Sequence, residues 1–190
     1  MIDVKYCSQC GAAVALRIPP GDNVPRYVCD DCGHVHYQNP KIVAGCIVEW
    51  GGKVLLCRRA IEPRRGLWTL PAGFMENGET TQQAAARETM EEACAQAINL
   101  SLYGVFNLPH ISQVYIMFRG SLRDGQFSAG LESLEAALFV EEDIPWAELA
   151  FPVVRETLRL FCRDRRAGEF KVHTGDIVRR PDRSIEISSL

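Results

Sequence analysis

The sequence predicts an α+β protein, a mixed β-sheet between helices in an α-β-α sandwich, preceded by a small four-cysteine ribbon. Three observations carry this. Two C-x-x-C knuckles fall within the first 38 residues. Two apolar runs, Ile42 to Val48 and Lys53 to Arg58, flank Gly51-Gly52 as a hairpin. A capped, alanine-rich segment then begins at Thr80.

The ribbon comes first, over residues 1–38. Cys7-Ser8-Gln9-Cys10-Gly11 and Cys29-Asp30-Asp31-Cys32-Gly33 are similar knuckles. In each, a Gly directly after the second Cys allows a tight turn that aims backbone N–H groups at the sulfurs. Four thiolates in this arrangement suit a closed, tetrahedral, structural Zn2+ site. A redox pair or a disulfide is the alternative. His34 and His36 are read as surface residues or as lining of the domain junction. Pro19 to Asn23 is turn material between two short strands. So small a segment buries too little to fold by apolar contact, so a metal would supply much of its folding energy. Its charges are mixed, Asp22, Asp30 and Asp31 against Lys5, Arg17 and Arg26, which favours a structural role, with a dimer interface as one place for it.

Tyr37 to Pro40 joins the ribbon to a second domain over residues 39–190. Ile42 to Val48 is continuously apolar, as befits a strand buried on both faces. Leu67 to Pro71 reads as a short strand. Further strands are expected near Ala97–Asn107, Gln113–Ser121 and Ala137–Val140, with a helix over Val153–Arg166 and a short strand near Phe170–His173.

Chemistry concentrates between Ala72 and Ala95. Thr80 and Gln83 form a capping-box pair, so a helix starts near Thr80. Ala84, Ala85 and Ala86 favour the helix and let it lie close to a sheet. On it Glu88, Glu91 and Glu92 stand at i, i+3 and i+4, which puts three carboxylates on one face, with Arg87 beside them. Such a cluster is either a solvated acidic face or a hard-cation site of oxygen ligands suited to Mg2+ or Mn2+.

From Gly73 the pattern, with Glu79, Arg87-Glu88 and Glu91-Glu92, resembles the Nudix box, G-x5-E-x7-R-E-U-x-E-E-x-G-U, where U is bulky and aliphatic. Every charged position is present. Thr89 and Ala95 stand at the U positions, and Cys94 replaces the second glycine. A left-handed Cys94 would cost about 1 kcal/mol relative to Gly. The resemblance covers roughly residues 40–165. It implies the Nudix fold and metal-dependent hydrolysis of a nucleoside diphosphate linked to another group. It also implies Glu88, Glu91, Glu92 and the Ala72 carbonyl as ligands for Mg2+ or Mn2+, and Glu79 with Arg87 as a bracing pair. The general base would be a box glutamate, as in some members, or one on a later loop, as in ADP-ribose-type members; on that loop Glu132 and Glu135 are the candidates, with Glu135 preferred as a base or an additional metal ligand. Trp68, Phe106 and Tyr115 are candidate stacking surfaces, although such residues are more often core than ligand contacts. Arg58, Arg59 and Arg64 are candidate phosphate contacts.

A ribbon ahead of this domain resembles NADH pyrophosphatases, but their S-Q-P-W-P-F-P-x-S signature is absent; the chain reads F-N-L-P-H-I-S-Q-V-Y-I-M-F there. The phrases Y-Q-N-P-K, G-K-V-L-L-C, G-L-W-T-L-P-A-G and L-E-S-L-E resemble the FAD and ADP-ribose pyrophosphatases of plant chloroplasts, with A-F-P within Leu149–Pro152 also similar. That implies FAD, cleaved to FMN and AMP, or ADP-ribose as substrate. NADH or NAD hydrolysis, an RNA 5′-end or cap pyrophosphohydrolase, and a non-catalytic nucleotide sensor are the alternatives. A formal charge of −3 announces no nucleic-acid partner, and no basic stripe stands out. No window of the sequence suits a transmembrane helix. The N-terminus shows no signal core or transit peptide, so the expected location is cytoplasmic. The other cysteines, Cys46, Cys57, Cys94 and Cys162, read as packing residues. A homodimer is expected.

Overall fold

The computed structural model describes residues 4–182 and 184–189. The chain divides into two compact units, Met1–Pro40 and Lys41–Leu190.

The first unit is an antiparallel sheet of β1 (Val14–Arg17), β2 (Arg26–Cys29) and β3 (Val35–His36). The Asp22 carboxylate organises the β1–β2 turn, accepting from the N–H groups of Asn23 and Val24 and from Arg26 Nε at 3.0 Å. Four cysteine sulfurs, those of Cys7, Cys10, Cys29 and Cys32, lie within 4.8 Å of one another.

The second unit is a mixed nine-stranded sheet with one helix on each face. Its strands are β4 (Lys41–Trp50), β5 (Lys53–Arg59), β6 (Trp68–Thr69), β7 (Ala72–Phe74), β8 (Ala97–Leu108), β9 (Gln113–Leu122), β10 (Ser133–Phe139), β11 (His173–Arg179) and β12 (Ile185–Ser189). The main order is β10-β5-β4-β9-β8-β11-β12. β4 runs parallel to β9, and β11 parallel to β8; the remaining ladders are antiparallel.

Along β4 and β5 both faces are apolar, and alternate residues feed different cores. Ala44, Cys46, Val48, Leu55 and Cys57 pack with α1 (Thr81–Ala93), whereas Ile47, Val54 and Leu56 pack with α2 (Pro152–Ala167). Period-two alternation with two buried faces is why these runs read as uniformly hydrophobic. Gly51 and Gly52, both at positive φ, make the two-residue hairpin turn.

β4 and β5 pair only next to that turn, at Glu49–Val54 and Trp50–Lys53. Beyond it they fork. β6 takes the inner edge of β5, and β7 takes that of β4, opposite Val43 to Gly45. A Cβ on Gly45 would run into Pro71 O and the Ala72 side chain, so glycine permits the close approach. The expected short strand over Leu67–Pro71 is β6, at Trp68–Thr69; β7, not expected, follows it to fill the fork and carries Ala72 and Gly73 to α1.

The C-terminal strand begins where it was expected to end, at His173, and continues into a hairpin. Phe170 joins the Tyr103 and Phe161 rings instead of a ladder, with the Arg119 guanidinium stacked on it at 3.5 Å. β11 is tied down by a buried polar cluster. Asp164 of α2 accepts from the Tyr103 hydroxyl at 3.1 Å and bonds His173 Nε2 at 2.5 Å. Burial would raise the Asp164 carboxyl, but its His173 and Tyr103 partners win and hold it low.

Asp164→Ala would leave the Tyr103 hydroxyl and the His173 ring buried without their shared partner. A loss of about 3 kcal/mol is expected, read as the urea midpoint, with Asp164→Asn losing less.

Candidate active site

The helix α1 begins as its sequence dictates. Thr80 is the N-cap: its side chain accepts from the Gln83 N–H, and Gln83 Oε1 accepts from the Thr80 N–H at 2.8 Å. Ala84, Ala85 and Ala93 are fully buried against the sheet. Thr89, standing where a bulky aliphatic was expected, is also buried, its hydroxyl donating to Ala85 O at 2.8 Å. Cys94 ends the helix at φ 46°, ψ 35°, in the left-handed region.

Glu88, Glu91 and Glu92 project from α1 into one cleft of about 1000 Å3, which Ala72 and Gly73 also line. Glu88 and Glu92 are buried; Glu91 is exposed. Arg87 holds the acids together. It donates twice to Glu79, at 2.8 and 3.1 Å, and then to Glu88 at 2.7 Å, Glu91 at 2.9 Å and Phe74 O at 3.1 Å. Those bonds raise the arginine and lower the Glu79 carboxyl. Glu79 also accepts from the Glu76 N–H. Gly73 lies against Glu88 so closely that a Cβ would overlap its carboxylate.

Glu92 is the outlier. Burial pushes its carboxyl up to about 8, against the pull of the Ala72 N–H that donates to Oε2 at 3.2 Å. Burial raises Glu88 as well, against the opposing pull of Arg87. Two buried carboxylates pushed toward neutrality, beside backbone in a cleft, form a donor set that fits a hard divalent cation. Glu88, Glu91, Glu92 and the Ala72 carbonyl are the groups that would hold it.

The cysteine site passes a similar test. Tetrahedral Zn2+ with bonds of about 2.3 Å separates its sulfurs by about 3.8 Å. Cys7 and Cys32 stand 3.7 Å apart, and Cys10 and Cys29 3.4 Å. The N–H groups of Gln9 and Cys32 point at Cys7 and Cys29 sulfur, with Gly11 and Gly33 at positive φ, as the knuckle reading expects.

The remaining expected site residues divide. Arg59 and Tyr115 line the cleft. Arg59 is nine-tenths buried, its Nε donating to Pro63 O at 2.9 Å and its guanidinium lying over the Phe151 ring at 5.1 Å. Among the described residues it has no ion-pair partner, and its charge acts on the cleft, where it opposes the upward shift of Glu92. Burial raises the Tyr115 phenol, an effect the nearby Arg59 charge opposes. Trp68 and Phe106, expected as stacking surfaces, are instead core: Trp68 packs edge-on against Phe139, and Phe106 is fully buried. Arg58 and Glu135 sit opposite each other across the β5–β10 ladder and pair at 3.8 Å, away from the cleft; Arg64 does not line it either.

Glu135 is therefore misplaced for a base, and Glu132 lines the cleft in its stead. Glu132 lies in the loop before β10, where Gly130 donates to Glu92 O and leaves no room for a Cβ beside Glu91 O. That glycine two residues before Glu132 was the available signal. Other walls went unread: Ile61, His110, Ile111, Gln113, Phe151 and Ile177 come from five separate segments.

Comparison with known proteins agrees with this geometry. A family model described as Nudix N-terminal matches residues 5–38, and the NUDIX domain model matches residues 39–161. The chain belongs to the Nudix hydrolase family, with an N-terminal Nudix zinc ribbon. It is 34% identical over 121 residues to an ADP-ribose pyrophosphatase of Methanocaldococcus jannaschii, covering 60% of this chain and 69% of the relative. It is 29% identical over 163 residues to the NAD-capped RNA hydrolase NudC of Photobacterium profundum, covering 82% of this chain and 59% of that protein. A crystal structure of a NUDIX hydrolase from Nitrosomonas europaea superposes with TM-score 0.89 at 56% identity, over 92% of this chain and 99% of that one.

Because native Glu92 retains its proton to higher pH than an unfolded glutamate, its burial costs nothing below about pH 4.5 and its full penalty applies above about 8. Without added divalent metal, the Tm is expected to fall from pH 5 to 8, and Glu92→Gln to flatten that decline.

Proposed function

We propose that this chain is a divalent-metal-dependent pyrophosphohydrolase of ADP-linked metabolites, ADP-ribose and FAD foremost. One observation carries the reading: the buried Glu88–Glu92 pair at the backbone of Ala72, facing a cleft that is also lined by Arg59, a cation without an ion-pair partner among the described residues. Mg2+ or Mn2+ held there supplies charge neutralisation for a pyrophosphate and a more acidic water.

The chain's own groups do the rest. Arg87 and Glu79 hold Glu88 and Glu91 in register, and the Ala72 N–H holds Glu92, so these side chains are ordered before substrate arrives. Arg59, braced by Pro63 O and Phe151, presents its remaining N–H groups to phosphate oxygens. Tyr115 and Phe151 give flat surfaces for a base. Glu132 lines the same cleft, on the loop that Gly130 ties to α1, as the acceptor for a proton from the attacking water.

A second reading is NAD-capped RNA or NADH, which carry the same ADP pyrophosphate. The likeness to NAD-capped RNA hydrolases over most of this chain favours it; the missing S-Q-P-W-P-F-P-x-S phrase counts against it.

The test is product analysis with Mg2+ or Mn2+ on ADP-ribose, FAD, NADH, NAD and NAD-capped RNA. AMP with ribose 5-phosphate or FMN, lost in Glu92→Gln and Glu132→Gln, is the expected result. No turnover with retained nucleotide binding would overturn it in favour of a sensor. Arg87→Gln should raise the Mg2+ concentration for half-maximal rate by about 10–100-fold.

A further inference from the structure

Helix α2 carries five arginines against two acids. Arg155, Arg159, Arg163 and Arg166 are spaced four, four and three residues apart, and all four are exposed. At 3.6 residues per turn they fall within about 80° of one another and extend along about 16 Å of axis. The opposite face, with Val154, Leu158 and Phe161, is core. A basic stripe, not expected from the sequence, is therefore present.

The two acids do not cancel it. Glu156 and Asp164 are buried beneath the stripe. Glu156 takes Arg159 as a bidentate pair, at 2.6 and 2.9 Å, and Asp164 takes Arg163 at 3.2 Å. Arg155 donates to Trp146 O, and Arg166 pairs loosely with Glu141 at 3.3 Å, which Arg165 holds more closely at 3.0 Å. The carboxylates thus anchor guanidinium groups whose other edges face solvent, with rotamer freedom already restricted before anything binds.

The stripe starts at the cleft. Pro152 and Val153, the first turn of α2, line it, and Arg155 is the next exposed residue. An anionic chain attached to a nucleotide in the cleft would leave along this helix. Steps of four residues put an arginine about every 6 Å, a spacing that can follow successive phosphates of an extended strand. A membrane surface fits worse, because the apolar face that would enter it is already buried in the core.

We propose that the exposed arginine stripe of α2 is a docking track for single-stranded RNA, the body of a transcript whose 5′-terminal nucleotide occupies the cleft. The track deepens the second reading of function, yet its test does not depend on turnover.

The experiment is fluorescence anisotropy of the full chain with a labelled, 5′-hydroxyl RNA of about 20 nucleotides, between 50 and 200 mM salt. Four phosphate contacts predict affinity falling about 50-fold over that range, and only about 7-fold in Arg155→Gln/Arg166→Gln, which keeps both buried pairs. That variant should hydrolyse ADP-ribose as the parent does. Arg166→Glu alone, with Glu141 still paired to Arg165, serves if the double variant misfolds, and should weaken binding and flatten the salt slope. Salt-insensitive binding, equal binding by the variants, or stripe-dependent binding to phosphatidylserine vesicles but not RNA would overturn the track. RNA binding without nucleotide turnover would overturn the hydrolase reading and leave the track standing.

Discussion

Four glutamates crowd around α1, and their mutual repulsion is a constraint every neighbouring element helps to meet. Arg87 meets most of it by itself, reaching Glu79, Glu88, Glu91 and the Phe74 carbonyl with one planar group. Arginine suits this where lysine would not, because its donors lie in a fixed fork. The arrangement also requires Phe74 and Gly73 to pass directly beside the helix. That is what the fork between β4 and β5 provides: β6 pairs with β5 and β7 with β4, and the backbone of β7 arrives beside the carboxylates. Glu92 is raised chiefly by its burial, and it stands outside the reach of Arg87, with the Ala72 N–H and the more distant Arg59 charge opposing the shift.

What could be read from the sequence was what is local in the chain. The capping box, the i, i+3, i+4 glutamates and the paired knuckles each lie within a few residues, and each held in the structure. The cleft walls are different. Whether Arg58 or Arg59 faces the cleft is a matter of strand parity, and the bulge between Ser133 and Glu135 resets the same parity for Glu132 and Glu135. Nothing short of the ladder registers decides such cases. Trp68 and Phe106 show the related difficulty that an aromatic beside a site supports it from the core as readily as it lines it. The α2 stripe was legible in its helical period, yet a net charge averaged over 190 residues concealed it.

The two electrostatic features of the second unit are opposite in sign and adjoin through the cleft. Glu88, Glu91 and Glu92 give the cleft negative charge, and α2, whose first turn lines the cleft, displays its arginines beyond it. A polyanion reaching both would need metal ions to intervene at the first. That division would separate a place where charge is neutralised by a mobile ion from one where it is neutralised by the chain.

Ile177 is fully buried and contributes to the cleft, but it belongs to β11, which follows the segment shared with the family at large. The box and the part of the cleft that Ile177 lines are thus separate pieces of chain, the latter held by the Asp164–His173 contact and the parallel ladder to β8. Drift in the last two strands can reshape what the cleft admits without touching a single box residue. Selectivity of the cleft thus has a physical address outside the box.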